Sequence, residues 1–183
     1  METLVTGKIY SVVEYFALEE KSDVRHEFIH GQLFEMPGGS KIHNRVISRL
    51  QRMLEDLLGH SFQIYRVTMK CKIFGEDKYF YPDIIVTDEP EKETELFCCY
   101  SPALLVEVIS DSTLKTDIID KLIAYQKIPT LQYYLIVNPQ LPEVAVFSKA
   151  PNGGWLSEAY TQKDDMISLP GLGAEMQLGM LYE

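Results

Sequence analysis

The sequence has few cysteines, and none of them forms a C-x-x-C pair. Among 183 residues there are only three, Cys71, Cys98 and Cys99. A zinc site or a disulfide framework needs cysteines paired at characteristic spacings, so neither is indicated. The pattern favours three reduced thiols that pack as small apolar side chains.

The sequence also lacks any apolar run of the roughly 18–20 residues that a membrane-spanning helix needs. Its first ten residues, "METLVTGKIY", have no basic region followed by an apolar region, so they do not resemble a signal peptide. We therefore expect a soluble, cytoplasmic protein without a membrane partner. Repeats and low-complexity tracts are missing too, and 46% hydrophobic residues predict one globular domain over residues 1–183.

Positive charge is scarce. Lysine and arginine number 17 against 27 aspartates and glutamates, which gives a formal net charge of −10. This balance argues against binding to nucleic acid by overall charge, but it permits a local basic face. The candidates for such a face are Arg45, Arg49 and Arg52 on a predicted helix, and Arg66, Lys70 and Lys72 on the exposed side of a predicted strand over 64–74. A solvated polar face is the alternative interpretation of the arginines.

The order of predicted elements indicates an α/β (α+β) fold. Ser11 and Glu14 have capping-box spacing and predict a helix to about Glu19. A turn at His30-Gly31 joins two short strands, and an amphipathic helix follows over 40–58. Two apolar strands, 103–110 and 132–138, flank a helix over 114–127 as in a βαβ unit, and further strands follow over 143–149 and 155–161. The pattern predicts a central mixed β-sheet flanked by helices.

Two acidic residues interrupt the apolar strands. Asp83 heads the run "YPDIIV", and Glu107 lies in the middle of "PALLVEVIS". Because a buried carboxylate without a partner is costly, each must lie near a strand end, form an ion pair or bind a metal. An ordinary strand-entry aspartate and a structural ion pair remain open alternatives.

A lysine on the late helix completes the candidate site. Lys121 shares the apolar stripe of Leu114 and Tyr125, and an inward-facing lysine needs an anion. Either Asp117, one turn earlier, or Glu107 could supply it. Two carboxylates and a lysine are also what metal-dependent phosphodiester cleavage uses. The acids hold Mg²⁺, and the lysine orients or deprotonates the attacking water.

Several segments in a fixed order resemble one known family. They are "HEFIHGQLFEM", "SKIHNRVISRL", "YPDIIV" and "ALLVEVISDSTLKTDIIDKLIAYQKIPTLQYYLIVNP". Together, over about residues 11–180, they resemble the Uma2 family of restriction-endonuclease-like proteins within the PD-(D/E)xK nuclease superfamily. The resemblance implies a restriction-endonuclease-like fold and a Mg²⁺-dependent DNA endonuclease that can use Mn²⁺ and acts as a homodimer.

The resemblance also implies roles for individual residues. Asp83 and Glu107 would be the metal ligands, and Lys121 would supply the amine that this superfamily usually places where this chain has Ile109. Glu27 would be an accessory acid, and His43 would reach the same cleft unless it is a structural histidine. Two other functions remain open: a non-catalytic binding or regulatory subunit, and a hydrolase of sugar or nucleotide phosphates.

Overall fold

The computed structural model describes residues 3–4, 7–36, 38–66, 68–91, 96–109 and 115–183. Its α-helices are α1 (Val12–Glu19), α2 (Lys41–Leu58) and α3 (Lys115–Tyr125). The early strands are β1 (Thr3–Leu4), β2 (His26–Ile29), β3 (Gln32–Glu35), β4 (Gln63–Arg66), β5 (Lys70–Lys72), β6 (Lys78–Phe80) and β7 (Ile84–Thr87). The later strands are β8 (Cys98–Cys99), β9 (Pro102–Val108), β10 (Tyr133–Asn138), β11 (Glu143–Lys149), β12 (Trp155–Tyr160), β13 (Met166–Leu169) and β14 (Ala174–Gln177).

The central sheet is mixed, as the sequence predicts. Its six strands have the order β12-β11-β10-β9-β7-β4. The β9 and β10 strands are parallel and connected through α3, whereas the other neighbouring pairs are antiparallel. Their apolar side chains are buried on both faces of the sheet because both faces are covered. The predicted neighbours β7 and β9 pair with Ile84 opposite Val106.

Helices cover both faces of this sheet. On one face, α2 packs through residues such as Leu50 and Leu54 in one apolar cluster, which also includes the β13–β14 hairpin. On the other face, Tyr125 of α3 lies in a second cluster with residues of β5 and β6. The predicted flanking helices are therefore confirmed. No helix in the described part of the chain has the length and apolar character that crossing a membrane requires.

A second six-stranded sheet has the order β1-β3-β2-β6-β5-β8. Its β2–β3 hairpin turns at His30 and Gly31, whose φ angles are 49° and 87°. Two successive positive φ angles match the twist of a tight hairpin, and glycine adopts such an angle without steric cost. The turn predicted at these residues is confirmed.

Local capping signals fix the helix ends. The Ser11 side chain accepts a hydrogen bond from the Glu14 amide, and the Glu14 carboxylate accepts from the Ser11 amide, so the predicted capping box is present. The Ser40 hydroxyl accepts from the His43 amide at the start of α2, and Gly59 follows its last residue with a φ angle of 56°. These contacts satisfy amide groups that a helix terminus leaves without intrahelical partners.

The prediction of one strand over 64–74 is wrong. The segment forms two strands in different sheets, β4 and β5, and the Thr68 amide bonds back to the Arg66 carbonyl between them. Alternation of apolar and polar residues reports which residues share a face but not whether the chain leaves one sheet for another. The start predicted for the late helix, at Leu114, lies outside the described residues.

Candidate active site

Asp83 and Glu107 lie side by side on neighbouring strands. Asp83 immediately precedes β7, and Glu107 is the last residue but one of β9. The Val108 amide donates a hydrogen bond of 2.7 Å to Asp83 Oδ2, which ties the first acid to the backbone next to the second. Asp83 is therefore more than a strand-entry residue, because its side chain is hydrogen-bonded to the neighbouring strand β9.

Lys121 reaches this pair of strands from α3. Its ammonium nitrogen lies 2.9 Å from Glu27 Oε1 and 3.5 Å from Glu107 Oε1. Lys121 and Glu27 are buried, whereas the Glu107 side chain is 16% exposed. The expected contact with Glu107 is present, while Glu27 of β2 is the nearer partner. The side chain of Asp117, the other anion considered, lies outside the described residues. One lysine thus bridges carboxylates from both six-stranded sheets.

Glu27 is completely buried, with 0% of its surface exposed. Its Oε1 atom accepts the Tyr81 amide at 3.2 Å in addition to Lys121. Its Oε2 atom is buried and has no hydrogen-bond partner among the described residues. A buried carboxylate oxygen without a donor is costly, which marks this atom as a position that a cation or a water would stabilise.

His43 also belongs to the cluster. Its Nε2 atom lies 3.3 Å from Asp83 Oδ2, whereas Nδ1 is buried without a partner in the described part of the chain. The hydrogen bond to Asp83 raises the pKa of His43, and burial opposes this effect. If His43 had only a structural role, one of its two ring nitrogens, Nδ1, would be left without a hydrogen bond to the described residues.

Tyr125 is a member of the site that the sequence identified only as a core residue. Its hydroxyl donates a 2.9 Å hydrogen bond to Glu107 Oε1. Its spacing of four residues from Lys121 on the same helix is the signal that could have revealed it, since such residues lie on one face.

The site holds more negative charge than its own lysine balances. Burial raises the pKa of Glu107 well above its usual range; Lys121 and the Tyr125 hydrogen bond lower it, while Asp83 and Glu27 raise it. Burial is therefore the main reason why Glu107 resists ionisation, and the nearby carboxylates of Asp83 and Glu27 add to it.

A divalent metal such as Mg²⁺ requires several oxygen ligands around one centre. No group of three or more His, Cys, Asp or Glu side chains in the described ranges is already arranged around a common centre. The oxygens of Asp83 and Glu107, together with the unpartnered Glu27 Oε2, are nevertheless the ligand type that Mg²⁺ and Mn²⁺ prefer. The residues fit such a cation by chemistry and by charge.

The arginines of the predicted basic face do not all point the same way. Arg52 donates to the Ser48 carbonyl at 3.2 Å, and Arg66 lies 3.5 Å from the Ser48 hydroxyl, so these two exposed side chains converge. Arg66 is also opposite Ile84, the residue after Asp83. Arg45 is exposed on the same helix, whereas Arg49 turns toward the chain terminus and donates to the Leu181 carbonyl.

The prediction that Lys70 lies on the exposed side of its strand is wrong, and Lys72 is only partly exposed. Lys70 is only 5% exposed and lies among aromatic rings. Lys72 contacts Asp77 at 3.5 Å and the Glu76 carbonyl at 2.5 Å. Both belong to β5 of the second sheet, whereas Arg66 ends β4 of the central sheet.

Comparison with known proteins identifies the family. The family model Uma2, described as "Putative restriction endonuclease", matches residues 12–180. The chain belongs to the Uma2 family. Two Synechocystis proteins are similar to this Uma2 chain along most of its length. The uncharacterized protein slr1290 is 33% identical and covers 92% of this chain and 89% of its own, and the uncharacterized protein sll1609 is 33% identical and covers 99% of both.

A solved structure has the same fold as the Uma2 chain. It is described as "a putative nuclease belonging to DUF820" from Anabaena variabilis, and the two superpose with a TM-score of 0.76. The match covers 93% of this chain and 96% of the other at 15% identity. The predicted nuclease-like fold is confirmed by this similarity.

Proposed function

We propose that this Uma2 chain is a divalent-metal-dependent endonuclease that hydrolyses phosphodiester bonds of DNA. The observation that carries the proposal is the contact of Lys121 with both Glu27 and Glu107, beside an Asp83 fixed by the Val108 amide. Family membership supports the reaction class. The charge excess at the acids supports the dependence on a cation.

Asp83 and Glu107 are the residues that would hold the metal, with Glu27 as an accessory oxygen donor. Mg²⁺, or Mn²⁺ in its place, would supply Lewis-acid activation of a water and neutralise charge on a phosphate. The Val108 amide fixes Asp83 Oδ2, and the Tyr125 hydroxyl fixes Glu107 Oε1, so each acid keeps one orientation.

Lys121 would orient the attacking water and stabilise negative charge that develops on the phosphate. Its contacts with Glu27 and Glu107 hold the amine beside the proposed metal ligands. His43, whose Nε2 atom lies 3.3 Å from Asp83 Oδ2, would transfer a proton near that end of the site. Lys121 contacts Glu107 and His43 contacts Asp83, and the two side chains come from helices on opposite faces of the sheet.

The substrate surface would be the exposed arginine group formed by Arg45, Arg52 and Arg66. Arg66 ends the strand that pairs with β7, so a phosphate bound there lies near Asp83. None of these three arginines forms an ion pair with the described residues, which leaves their charge available to phosphates. A homodimer would present two such sites, one for each strand of a duplex.

The test is nicking of a supercoiled plasmid with Mg²⁺ or Mn²⁺. Wild-type protein should convert the plasmid to open circles, and Asp83→Asn should not. Asp88→Asn, a matched change of an exposed aspartate just after β7, should cut like the wild type. Cutting by Asp83→Asn at the wild-type rate, or in excess EDTA, would contradict the proposal.

A non-catalytic binding subunit is the second candidate. It is favoured by the internal ion pairs, since Lys121 bridges Glu27 and Glu107 while His43 contacts Asp83, so protein cations already neutralise part of the acidic cluster. Thermal denaturation separates the two functions, because a cation that binds only the folded chain raises Tm. A Tm unaffected by Mg²⁺ and Mn²⁺, together with intact plasmid, would support the second candidate.

A further inference from the structure

Lys70 is a buried cation that no Asp or Glu of the described residues contacts directly. The side chain is 5% exposed, and no Asp or Glu of the described residues lies within 4.0 Å of its ammonium nitrogen. Lysine is rarely buried unless it is paired, so this position needs an explanation. Removal from water lowers the pKa of Lys70, and nearby Glu19 opposes this effect without contacting it.

Aromatic rings surround the Lys70 ammonium group. The centroids of Phe16 and Tyr81 lie 5.2 Å and 5.4 Å from Nζ, and those of Tyr15 and Phe97 each lie 6.0 Å away. Ring faces stabilise a cation at such distances. They replace only part of its hydration and leave room for a true counter-ion.

Glu19 forms no direct ion pair with Lys70, and other donors engage its carboxylate. Its Oε1 atom accepts the His26 amide at 3.1 Å and contacts the His26 Nδ1 atom at 2.7 Å. Its Oε2 atom accepts the Tyr81 hydroxyl at 2.6 Å. These three contacts hold Glu19 away from Lys70.

A second cation lies beside Lys70. The Arg25 side chain donates to the Glu19 carbonyl at 2.9 Å, and its positive charge acts on Lys70. It too lacks a salt bridge within the described ranges. Two like charges held together in a partly desolvated place favour an anion between them.

These groups open onto a pocket of about 420 Å³. That volume falls within the range, roughly 300–1,000 Å³, that small-molecule sites occupy. Its lining includes the two cations, the aromatic rings of Phe16 and Phe97, the Thr68 hydroxyl and the two carboxylates of Glu19 and Glu20. Phe97 is 65% exposed and stands at the mouth, where a planar group could stack on it.

We propose that this pocket binds a small phosphate monoester carrying a planar ring, such as a mononucleotide. The phosphate would contact Lys70 and Arg25, Thr68 would donate a hydrogen bond, and the ring would lie against Phe16 and Phe97. A free small ligand fits better than a nucleic-acid strand, because exposed Glu20 also lines the pocket and would repel the additional phosphates that a strand brings on either side of the one bound at Lys70 and Arg25.

The pocket is separate from the carboxylate site. Tyr81 stands between them: its hydroxyl faces Glu19, and its amide donates to Glu27 on the other side. The inference is therefore independent of the proposed nuclease activity. It can be tested in EDTA, with no metal bound to the acids.

The experiment is isothermal titration calorimetry with adenosine 5′-monophosphate, adenosine and inorganic phosphate as probes, all in EDTA. The monophosphate should bind, and the other two should bind at least about tenfold more weakly. Adenosine lacks the phosphate that contacts the cations, and inorganic phosphate lacks the ring that lies against the aromatic side chains. Binding should weaken as salt rises. Equal affinity for adenosine and the monophosphate, or no heat from any probe at millimolar concentration, would overturn the proposal.

Lys70→Met keeps the apolar stem and removes the charge, so it should weaken the binding of the monophosphate by at least about tenfold. The matched control is Lys72→Met, two residues along the same strand, which should bind like the wild type. If Lys70→Met does not fold, Arg25→Gln and Phe97→Ala at the pocket edge serve instead, and each should weaken binding severalfold. Unchanged affinity in these variants would contradict the assignment.

A five-residue thymidine oligonucleotide distinguishes the source of the phosphate. It should fail to displace the monophosphate, as expected for a pocket that takes a free ligand. Displacement that depends on Lys70 would overturn the small-ligand proposal and would place a nucleic-acid strand in the pocket.

Discussion

The Lys121 ammonium group lies closer to Glu27 than to Glu107, with Nζ–Oε1 distances of 2.9 Å and 3.5 Å. Glu27 comes from the second sheet and Lys121 from the helix between β9 and β10. The pair therefore fastens the two sheets together at the acidic cluster. It gives Lys121 a structural role in addition to the proposed catalytic one.

Lys121→Met should abolish plasmid nicking and also destabilise the fold. Breaking a buried ion pair by removing one partner costs about 3–5 kcal/mol, because the remaining charge is left without compensation. Urea denaturation in EDTA measures this loss. Lys127→Met is the matched control, since Lys127 pairs with Glu76 but its side chain is 48% exposed. That control should change stability by no more than about 1 kcal/mol and should leave nicking intact.

In the Glu107→Gln variant, Mn²⁺ should no longer raise Tm, while the stability of the variant in EDTA should stay close to that of the wild type. Burial raises the folded-state pKa of Glu107, so its ionisation disfavours the fold increasingly as pH rises above the unfolded pKa of about 4.5. The neutral amide removes that penalty. Thermal denaturation at pH 8 with and without Mn²⁺ measures both effects, with exposed Glu175→Gln as control. An equal Mn²⁺-induced rise in Tm for Glu107→Gln and wild type would remove Glu107 from the site.

His43→Gln should lower stability in EDTA more at acidic than at alkaline pH. The bond to Asp83 raises the folded-state pKa of His43 above the ordinary 6.5. Its stabilising effect is thus fully present below the unfolded pKa and is lost as pH rises through the folded pKa. The facing groups are Asp83, Glu107 and the Val108 backbone. Tm differences from wild type at pH 6 and pH 9 measure the trend, with exposed His60→Gln as control. A difference that does not depend on pH would exclude this ion pair.

Arg66→Gln should weaken DNA binding in Ca²⁺, whereas Lys72→Gln should not. Arg66 is exposed next to Asp83, while Lys72 is already engaged with Asp77 and Glu76. Losing one phosphate contact should also reduce the slope of log affinity against log salt by about one. Fluorescence anisotropy at several salt concentrations measures both the affinity and this slope. Equal losses in the two variants would show that the arginine group is not the DNA surface.

Ser11→Ala should destabilise the protein by about 1 kcal/mol through loss of the N-cap of α1. The capping contacts also hold the pKa of Glu14 at about 2, so their contribution is present above the unfolded pKa and is lost as pH falls toward 2. Urea denaturation at pH 7 measures the loss, with exposed Ser157→Ala as the control. An unchanged midpoint would mean that the cap adds nothing to global stability.

Local patterns in the sequence determined most of the secondary structure. The capping box at Ser11, the turn at His30-Gly31 and the length of α2 all depend on residues within one or two turns of each other. The βαβ unit around α3 follows from apolar strands that can be buried only in a sheet covered on both faces. The motifs also marked Asp83, Glu107 and Lys121 as exceptions to an apolar core.

The tertiary structure decided which of these charges meet and which basic residues face solvent. Glu27 lies nearer to Lys121 than Glu107 does, and Tyr125 donates a hydrogen bond to Glu107, because two sheets and a helix converge there. The alternation that suggested an exposed Lys70 could not reveal that the chain changes sheets after Arg66 and buries that lysine among rings. Burial and ion pairing depend on contacts between segments distant in the chain, and local periodicity contains no information about those contacts.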